Sequence, residues 1–213
     1  MQGGSDGGTT TGAAPTRRLR QDQRYEQLLR AAAAAFARGG FAATSMDDVA
    51  TAAGVTRLIV YRHFDTKEEL YRAVLERVAD RVRDKFLEGL HQAPPPRGFV
   101  VGSMLAAARE QPDGFRLLTG HAAREPQFVA LHHQWWSAAE AVADRMVGST
   151  VADPALRAWA DHTVVAYLVD SVVAWLDTGD PAQDGEFVEL GTRGLQAMVH
   201  AWGTGPGPGG GAA

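Results

Sequence analysis

The stretch FAATSMDDVATAAGVTRLIVYRHFDTKEELY, residues Phe41 to Tyr71, decides the fold. Thr44-Ser45 followed by Asp47-Asp48 is an N-cap signature of the Ser-x-x-acid kind, opening a short helix from Met46 to about Ala53 that Gly54 must stop. After Val55, Thr56 caps a second short helix, Arg57 to Phe64, and Asp65-Thr66 caps a third with Glu68 and Glu69 in its first turn. Two short capped helices about a Gly turn, with Val49, Ala50, Val55 and Val60 to pack between them, form a helix-turn-helix pattern. Ala50 is small enough for a steep crossing, and Gly54 supplies the positive φ of the turn.

On the second helix of the pair, a period of 3.6 puts Val60 and Phe64 on the buried side and crowds Arg57, Leu58, Tyr61 and Arg62 opposite. That outer face has the chemistry of major-groove readout: Arg pairs with guanine, apolar groups meet thymine methyls, and Tyr61 and His63 reach phosphate oxygens. Thr44 and Ser45 have two readings, as caps only or as phosphate contacts at a helix N-terminus. Tyr61 also has two, as a half-buried core ring or as a phosphate contact, and Lys67 adds a cation at the start of the next helix.

Outward from this segment the pattern is helical throughout. A first helix from about Gln21 to Arg38 carries Tyr25, Leu28, Leu29, Ala32 and Phe36 on one face and ends at Gly39-Gly40. The helix after Asp65-Thr66 is long: its stripe of Tyr71, Leu75, Val78, Val82 and Phe86 extends over roughly 24 residues, about 36 Å. Pro94-Pro95-Pro96 breaks the chain. Helices then follow at about 98–110, 112–121, 126–148, 154–178 and 183–202, bounded by prolines and glycines, so the expectation is an all-α fold of nine helices. Residues 1–16 and 203–213 are tails too poor in large apolar side chains to offset their ordering entropy.

The charge is uneven. Residues 1–92 carry 14 basic against 12 acidic side chains, residues 93–213 carry 7 against 13, and residues 16–64 hold 8 Arg against 4 acids, a basic block of the sort a polyanion attracts. The 213 residues contain no Cys, which excludes disulfides, thiolate metal sites and a cysteine nucleophile. No apolar run approaches a membrane span and no export signal opens the chain, so a cytoplasmic protein without a membrane partner is expected.

The segment Phe41 to Tyr71 resembles the DNA-binding segment of the tetracycline-repressor (TetR) family. The resemblance rests on Thr44, Val49-Ala50, Ala53-Gly54-Val55-Thr56, Val60-Tyr61-Arg62-His63-Phe64 and Lys67-Glu68-Glu69-Leu70, extended upstream by Phe36 and Gly40-Phe41. It covers roughly 50 residues, and the remainder fits in length and helix count alone. It implies a nine-helix homodimer, with a three-helix DNA-binding domain at residues 17–66 and an effector-binding and dimerisation domain at residues 67–202. It further implies a ligand-responsive regulator, usually a repressor, that binds a palindromic operator and is released by a small effector. Position by position, Arg57, Leu58, Ile59 and Arg62 fall where such proteins contact bases or the groove, and Thr56 is counted with them as a DNA-binding residue. Tyr61, His63, Lys67 and the Thr44-Ser45 pair fall where they grip phosphates. Leu58 and Ile59 depart from the small or hydroxyl residues frequent there, which favours thymine methyl contact over hydrogen-bonded readout. Arg17, Arg18, Arg20 and Arg24 form either an arm toward DNA or a solvated basic tail.

Residues 98–202 hold all five Trp and no Lys, which fits a pocket or a subunit interface. A cavity lined by Phe115, His132, Trp136, Tyr167 and Asp170 would take a largely apolar or aromatic effector with one or two polar handles; ordinary core placement is the alternative for each. Asp170, inside the apolar run Val164 to Leu176, has three roles open: ligand acceptor, partner across a dimer, or solvent-facing group. The last two helices are apolar on more than one face, so a four-helix interface between two copies is expected, with Gly191 and Gly194 permitting close approach there. Adjacent His132 and His133 diverge on a helix and give no metal site, no cofactor motif is present, and no nucleophile can be assigned. The rival reading is an all-helical small-molecule-binding protein or enzyme without sequence-specific DNA binding.

Overall fold

The computed structural model describes residues 13–148 and 150–203, with side chains from Gln21 onward, so most of both expected tails lies outside the described residues. Among the described residues there are nine α-helices and no strand: α1 Ala13–Ala43, α2 Met46–Ala53, α3 Arg57–Tyr61, α4 Lys67–Leu90, α5 Phe99–Glu110, α6 Pro112–Arg116, α7 Val129–Val147, α8 Pro154–Thr178 and α9 Asp184–Gly203.

The first helix starts at Ala13, well ahead of Gln21, with Pro15 in its first turn where a missing N–H costs nothing. Helical φ/ψ is interrupted at Gly40 (φ 74°, ψ 166°), which turns the chain so that Phe41 folds back against Phe36, ring centroids 6.0 Å apart. Thr44 locks this turn. Its hydroxyl donates to the carbonyls of Gly40 (2.8 Å) and Ala35 (3.3 Å), and the close approach leaves no room for a side chain at Gly39.

Ser45 and Asp48 form a reciprocal capping box on α2: the Asp48 N–H donates to Ser45 Oγ at 3.1 Å and the Ser45 N–H donates to Asp48 Oδ2 at 2.9 Å. Gly54 ends α2 in the left-handed region (φ 65°), as the turn requires. The second helix of the pair is shorter than its pattern suggests. The N–H groups of His63 and Phe64 both bond to Val60 O, tightening the chain after Tyr61, because Phe64 is drawn under α1 to stack on Tyr25 at 5.5 Å. Val49, Val60 and Phe64 are buried with Leu28, Leu29 and Phe36 in one core.

Helix α4 leaves this head and runs into the larger part of the molecule, packing chiefly on α5. The expected helix 112–121 changes gauge: after α6 comes a π-helical turn, Leu117–His121, then a 3₁₀ turn, Ala122–Arg124. The turn keeps Leu117, Leu118 and Ala122 all fully buried, and it presents the Leu118 carbonyl to His132 Nδ1 at 2.9 Å. Helix α7 therefore begins at Val129, after Phe128 has been placed in the core.

Helix α9 is fastened to the rest of the chain by charge and by two glycines. Asp184 accepts two hydrogen bonds from Arg109 of α5, from Nη2 at 2.7 Å and Nε at 3.1 Å, and one from Trp175 Nε1 of α8 at 2.7 Å. Gly191 faces Val101 of α5, and Gly194 faces Tyr167 of α8. The close approach these glycines permit is thus used inside the chain, which corrects their expected place between two copies.

Candidate nucleic-acid interface and effector cavity

Helix α3 is anchored by Val60 on its inner side and presents Leu58, 63% exposed, with Arg57, Tyr61 and Arg62 on its outer side. Thr56, the N-cap residue, is exposed and its side chain makes no cap hydrogen bond, so its hydroxyl is directed to no partner within the helix. Arg57 is held. Its Nη1 lies 2.9 Å from Asp47 Oδ2 of α2, its Nη2 donates to Tyr61 Oη at 3.2 Å, and its guanidinium carbon sits 5.1 Å from the Tyr61 ring centre. Hydrogen bonding to Tyr61 and then the charge of Asp47 push the Arg57 pKa further up.

Other head residues face elsewhere than their motif positions suggest. Ile59 is half-buried against the core, and His63 is half-buried, its ring 6.0 Å from that of Tyr25. Lys67 donates from Nζ to the carbonyls of Phe41 (2.8 Å) and Ala42 (3.3 Å) and lies over the Phe41 ring, so it closes the end of α1 rather than reaching outward. Thr44 is buried, and Ser45 is engaged with Asp48, whose carboxyl is held below its ordinary range by the Ser45 hydroxyl and N–H. Ser45 is the cap of α2, Thr44 is instead bonded to carbonyls of α1, and the positive end of α2 already faces Asp47 and Asp48. Among the four Arg of the N-terminal cluster, Arg24 is exposed on α1, and the side chains of Arg17, Arg18 and Arg20 lie outside the described residues.

The five expected effector residues do not share a site. Phe115 is fully buried in the core, and His132 is buried on the Leu118 carbonyl. The Trp136 indole N–H donates to Glu140 Oε1 at 2.9 Å beside His162, the Tyr167 hydroxyl donates to Gly191 O at 3.0 Å, and Asp170 is exposed. The first four each meet a local packing or hydrogen-bonding demand that their place in the periodicity did not reveal, and Asp170 has the solvent-facing placement, one of the three left open for it.

The cavity lies between α4, α5, α7 and α8, with a volume of about 440 Å³. Val82 and Phe86 of α4, Met104 of α5, Leu131 and Trp135 of α7 and Leu168 of α8 form its apolar wall. Ala79, Ala139 and Ala143 leave the room that larger residues would fill. Trp135, not its neighbour Trp136, faces the space. The signal was present as the stripe Leu131, Trp135, Ala138, Val142 at spacings of three and four, which adjacent tryptophans obscure. Glu76, Asp80 and Arg83 of α4 form a polar rim.

A family model described as bacterial regulatory proteins, tetR family, matches residues 28–74, from α1 through α3 into α4. The chain is 32% identical over 194 residues to the HTH-type transcriptional activator FasR of Mycolicibacterium smegmatis, covering 87% of this chain and 84% of that one. It belongs to the TetR family. Within the family it is also similar to the HTH-type transcriptional repressor KstR2 of the same organism, 32% identical over 84 residues, 39% of this chain and 41% of the relative. The fold matches that of a TetR-like transcriptional regulator from Rhodococcus sp. RHA1 with a TM-score of 0.69 at 16% identity, covering 86% of this chain and 97% of that one. This TetR-family chain is accordingly a helix-turn-helix transcriptional regulator, and its relatives are regulators rather than enzymes. Among its described residues no helix is long and apolar enough to cross a membrane.

Proposed function

We propose that this regulator binds a palindromic operator as a homodimer in the cytoplasm and is released by a small, largely apolar effector, with no catalytic step and no cofactor. Residues 17–66 act as the reading domain and residues 67–202 as the effector and dimerisation domain. The observation that carries the proposal is the outer face of α3, where an exposed Leu58 stands between Arg57 and Arg62, beside Tyr61, on a helix whose inner face is fixed by Val60. Guanidinium groups can pair with guanine and an exposed leucine can meet a thymine methyl group, so this face combines both kinds of base contact. Arg57, Leu58 and Arg62 read the groove, and Tyr61 and Thr56 hold the flanking phosphates.

A dimer accounts for the apolar side chains that α8 and α9 leave exposed: Leu156, Trp159, packed 5.2 Å from Trp202, and Leu190. Two α3 helices about 34–36 Å apart would enter successive major grooves on one side of the duplex. The apolar cavity holds the effector. Its wall includes α4, the helix that carries the head, so a ligand that fits better with α4 tilted changes the spacing of the two heads. Such linkage commonly amounts to about 1–3 kcal/mol. Occupied operators are repressed, as for the relative named a repressor.

The test is selection of bound duplexes from a random pool, repeated with apolar ligands, together with the molecular mass in solution and a reporter carrying the selected site. Recovery of an inverted repeat by a dimer, with reporter expression rising on ligand addition, supports the proposal. Recovery of no preferred sequence, or a monomer, contradicts it.

A further inference from the structure

A second hollow, of about 760 Å³, abuts the first, and Val100 of α5 and Met146 of α7 line both. It opens where the Pro94–Pro96 segment meets α5 and the end of α9, at the far end of α4 from the reading head. The two spaces differ in chemistry. The first is mostly apolar; its charged groups are all on the α4 rim, where Glu76 and Asp80 stand with Arg83, itself bound to Asp80 at 2.9 Å, and Ser103 and Gln134 are its neutral polar lining. The second is lined by Arg97, Thr150, Thr192, Gln196 and His200 among apolar residues, with no acidic side chain. Among the described residues, Arg97 has no carboxylate within ion-pair distance, although residues 93–213 carry nearly twice as many acids as bases.

On the reading that the first cavity is the effector site, we propose that the effector is an elongated amphiphile whose apolar body fills that cavity and whose anionic head group enters the second hollow. Arg97 supplies a charge-assisted pairing, and His200, Gln196 and Thr192 supply hydrogen-bonding groups around it. The choice of end follows from charge. A carboxylate or phosphate at the α4 rim would meet two acids and one neutralised Arg, whereas in the second hollow it meets a cation and no acid. The first cavity alone is within the volume usual for small-ligand sites, and the second adjoins it at Val100 and Met146, which gives a longer molecule room at both ends. Gly98, in the wall of the second hollow, lets α9 approach closely: a side chain there would collide with Thr192 and Val188.

The test uses the full chain and four probes of one chain length below their micellar concentrations: 1-dodecanol, dodecanoate, dodecyl phosphate and dodecyltrimethylammonium. Binding is followed by calorimetry and by Trp fluorescence. The two anionic probes are expected to bind about tenfold or more tighter than the alcohol, the scale of one charge-assisted contact. The ratio between them tells carboxylate from phosphate. The variant carrying both Arg97→Gln and His200→Gln is expected to bring the anions down to the alcohol and leave the alcohol unchanged. Ala139→Phe, which fills the first cavity, is expected to weaken every probe. Anions no tighter than the alcohol, a cationic probe that binds best, or anion binding indifferent to the double variant overturns the head-group assignment. Binding unaffected by Ala139→Phe overturns the effector-cavity reading itself, so the two failures are distinguishable.

Discussion

The ring of Tyr71 on α4 stacks on that of Phe128, centroids 4.4 Å apart and planes 30° from parallel, at the junction between the reading head and the rest of the chain. Phe36 and Phe41 of α1 meet Tyr71 edge-on at 4.9 and 5.2 Å, so one aromatic cluster ties α1, α4 and the segment before α7. This is a packed joint that ties α4 to the head.

Removing a ring from that joint leaves a cavity. Phe128→Ala is expected to lower stability by about 3–5 kcal/mol. Tyr71→Phe is expected to do the reverse on a small scale: the Tyr71 hydroxyl is buried without a hydrogen-bond partner and burial raises its pKa far above that of a free phenol, so its loss is neutral or stabilising by about 1 kcal/mol. Denaturant unfolding of the two variants checks both signs.

Asp47 restrains Arg57 without contributing much to stability, because both groups are exposed and such pairs are worth about 0–1 kcal/mol. Its charge also stands beside the surface that phosphates would approach. Asp47→Asn is expected to strengthen binding to random duplex more than to the selected operator, and to leave the unfolding midpoint nearly unchanged. Affinities measured against salt would show the change, with a slope steeper by up to about 0.9 if the freed Arg57 takes a phosphate.

The Arg109 hydrogen bonds and charge hold the Asp184 carboxyl below its ordinary range. A carboxylate whose folded value is depressed contributes stability that is present above its unfolded value and lost as pH falls through the folded one. Asp184→Asn is expected to cost about 1–2 kcal/mol at neutral pH, discounted for partial exposure, and to converge with the parent chain in thermal unfolding once the pH falls below the depressed folded value.

Asp161 has the opposite sign. Burial, then the nearby charge of Asp144, raises its pKa, and its Oδ1 is buried with no partner. The folded state favours the protonated acid, so the favourable contribution is full below the unfolded value and disappears as pH rises through the folded one. Asp161→Asn is expected to stabilise the protein by about 1 kcal/mol at pH 7 and to lose that advantage in acid, measured by the same unfolding series.

The head was legible because its signals are local. Ser45 with Asp48, Gly54, and Thr66 with Glu69 each act within a few residues, and the structure forms all three caps. The fates of Lys67 and Thr44 were not legible, since their partners are carbonyls of α1 exposed by the break at Gly40. In the effector half, periodicity places apolar faces but not which face meets a void. Trp135 shares a stripe with Leu131, Ala138 and Val142, but only the packing of α4 and α5 against α7 leaves a space for that stripe to line. The pair Asp47 and Arg57 lies across a turn, ten positions apart, outside any single helix pattern.

The central claim is that α3 reads sequence, and it is tested most directly by the affinity of the selected operator and of its base-substituted forms for the parent chain, Tyr61→Ala and Arg57→Ala at one salt concentration. Tyr61→Ala is expected to weaken every duplex by a similar factor, whereas Arg57→Ala is expected to cost about 1–3 kcal/mol on the operator and to relax preference at one base pair in each half-site. Operator affinity and base preference unchanged in both variants would contradict the account.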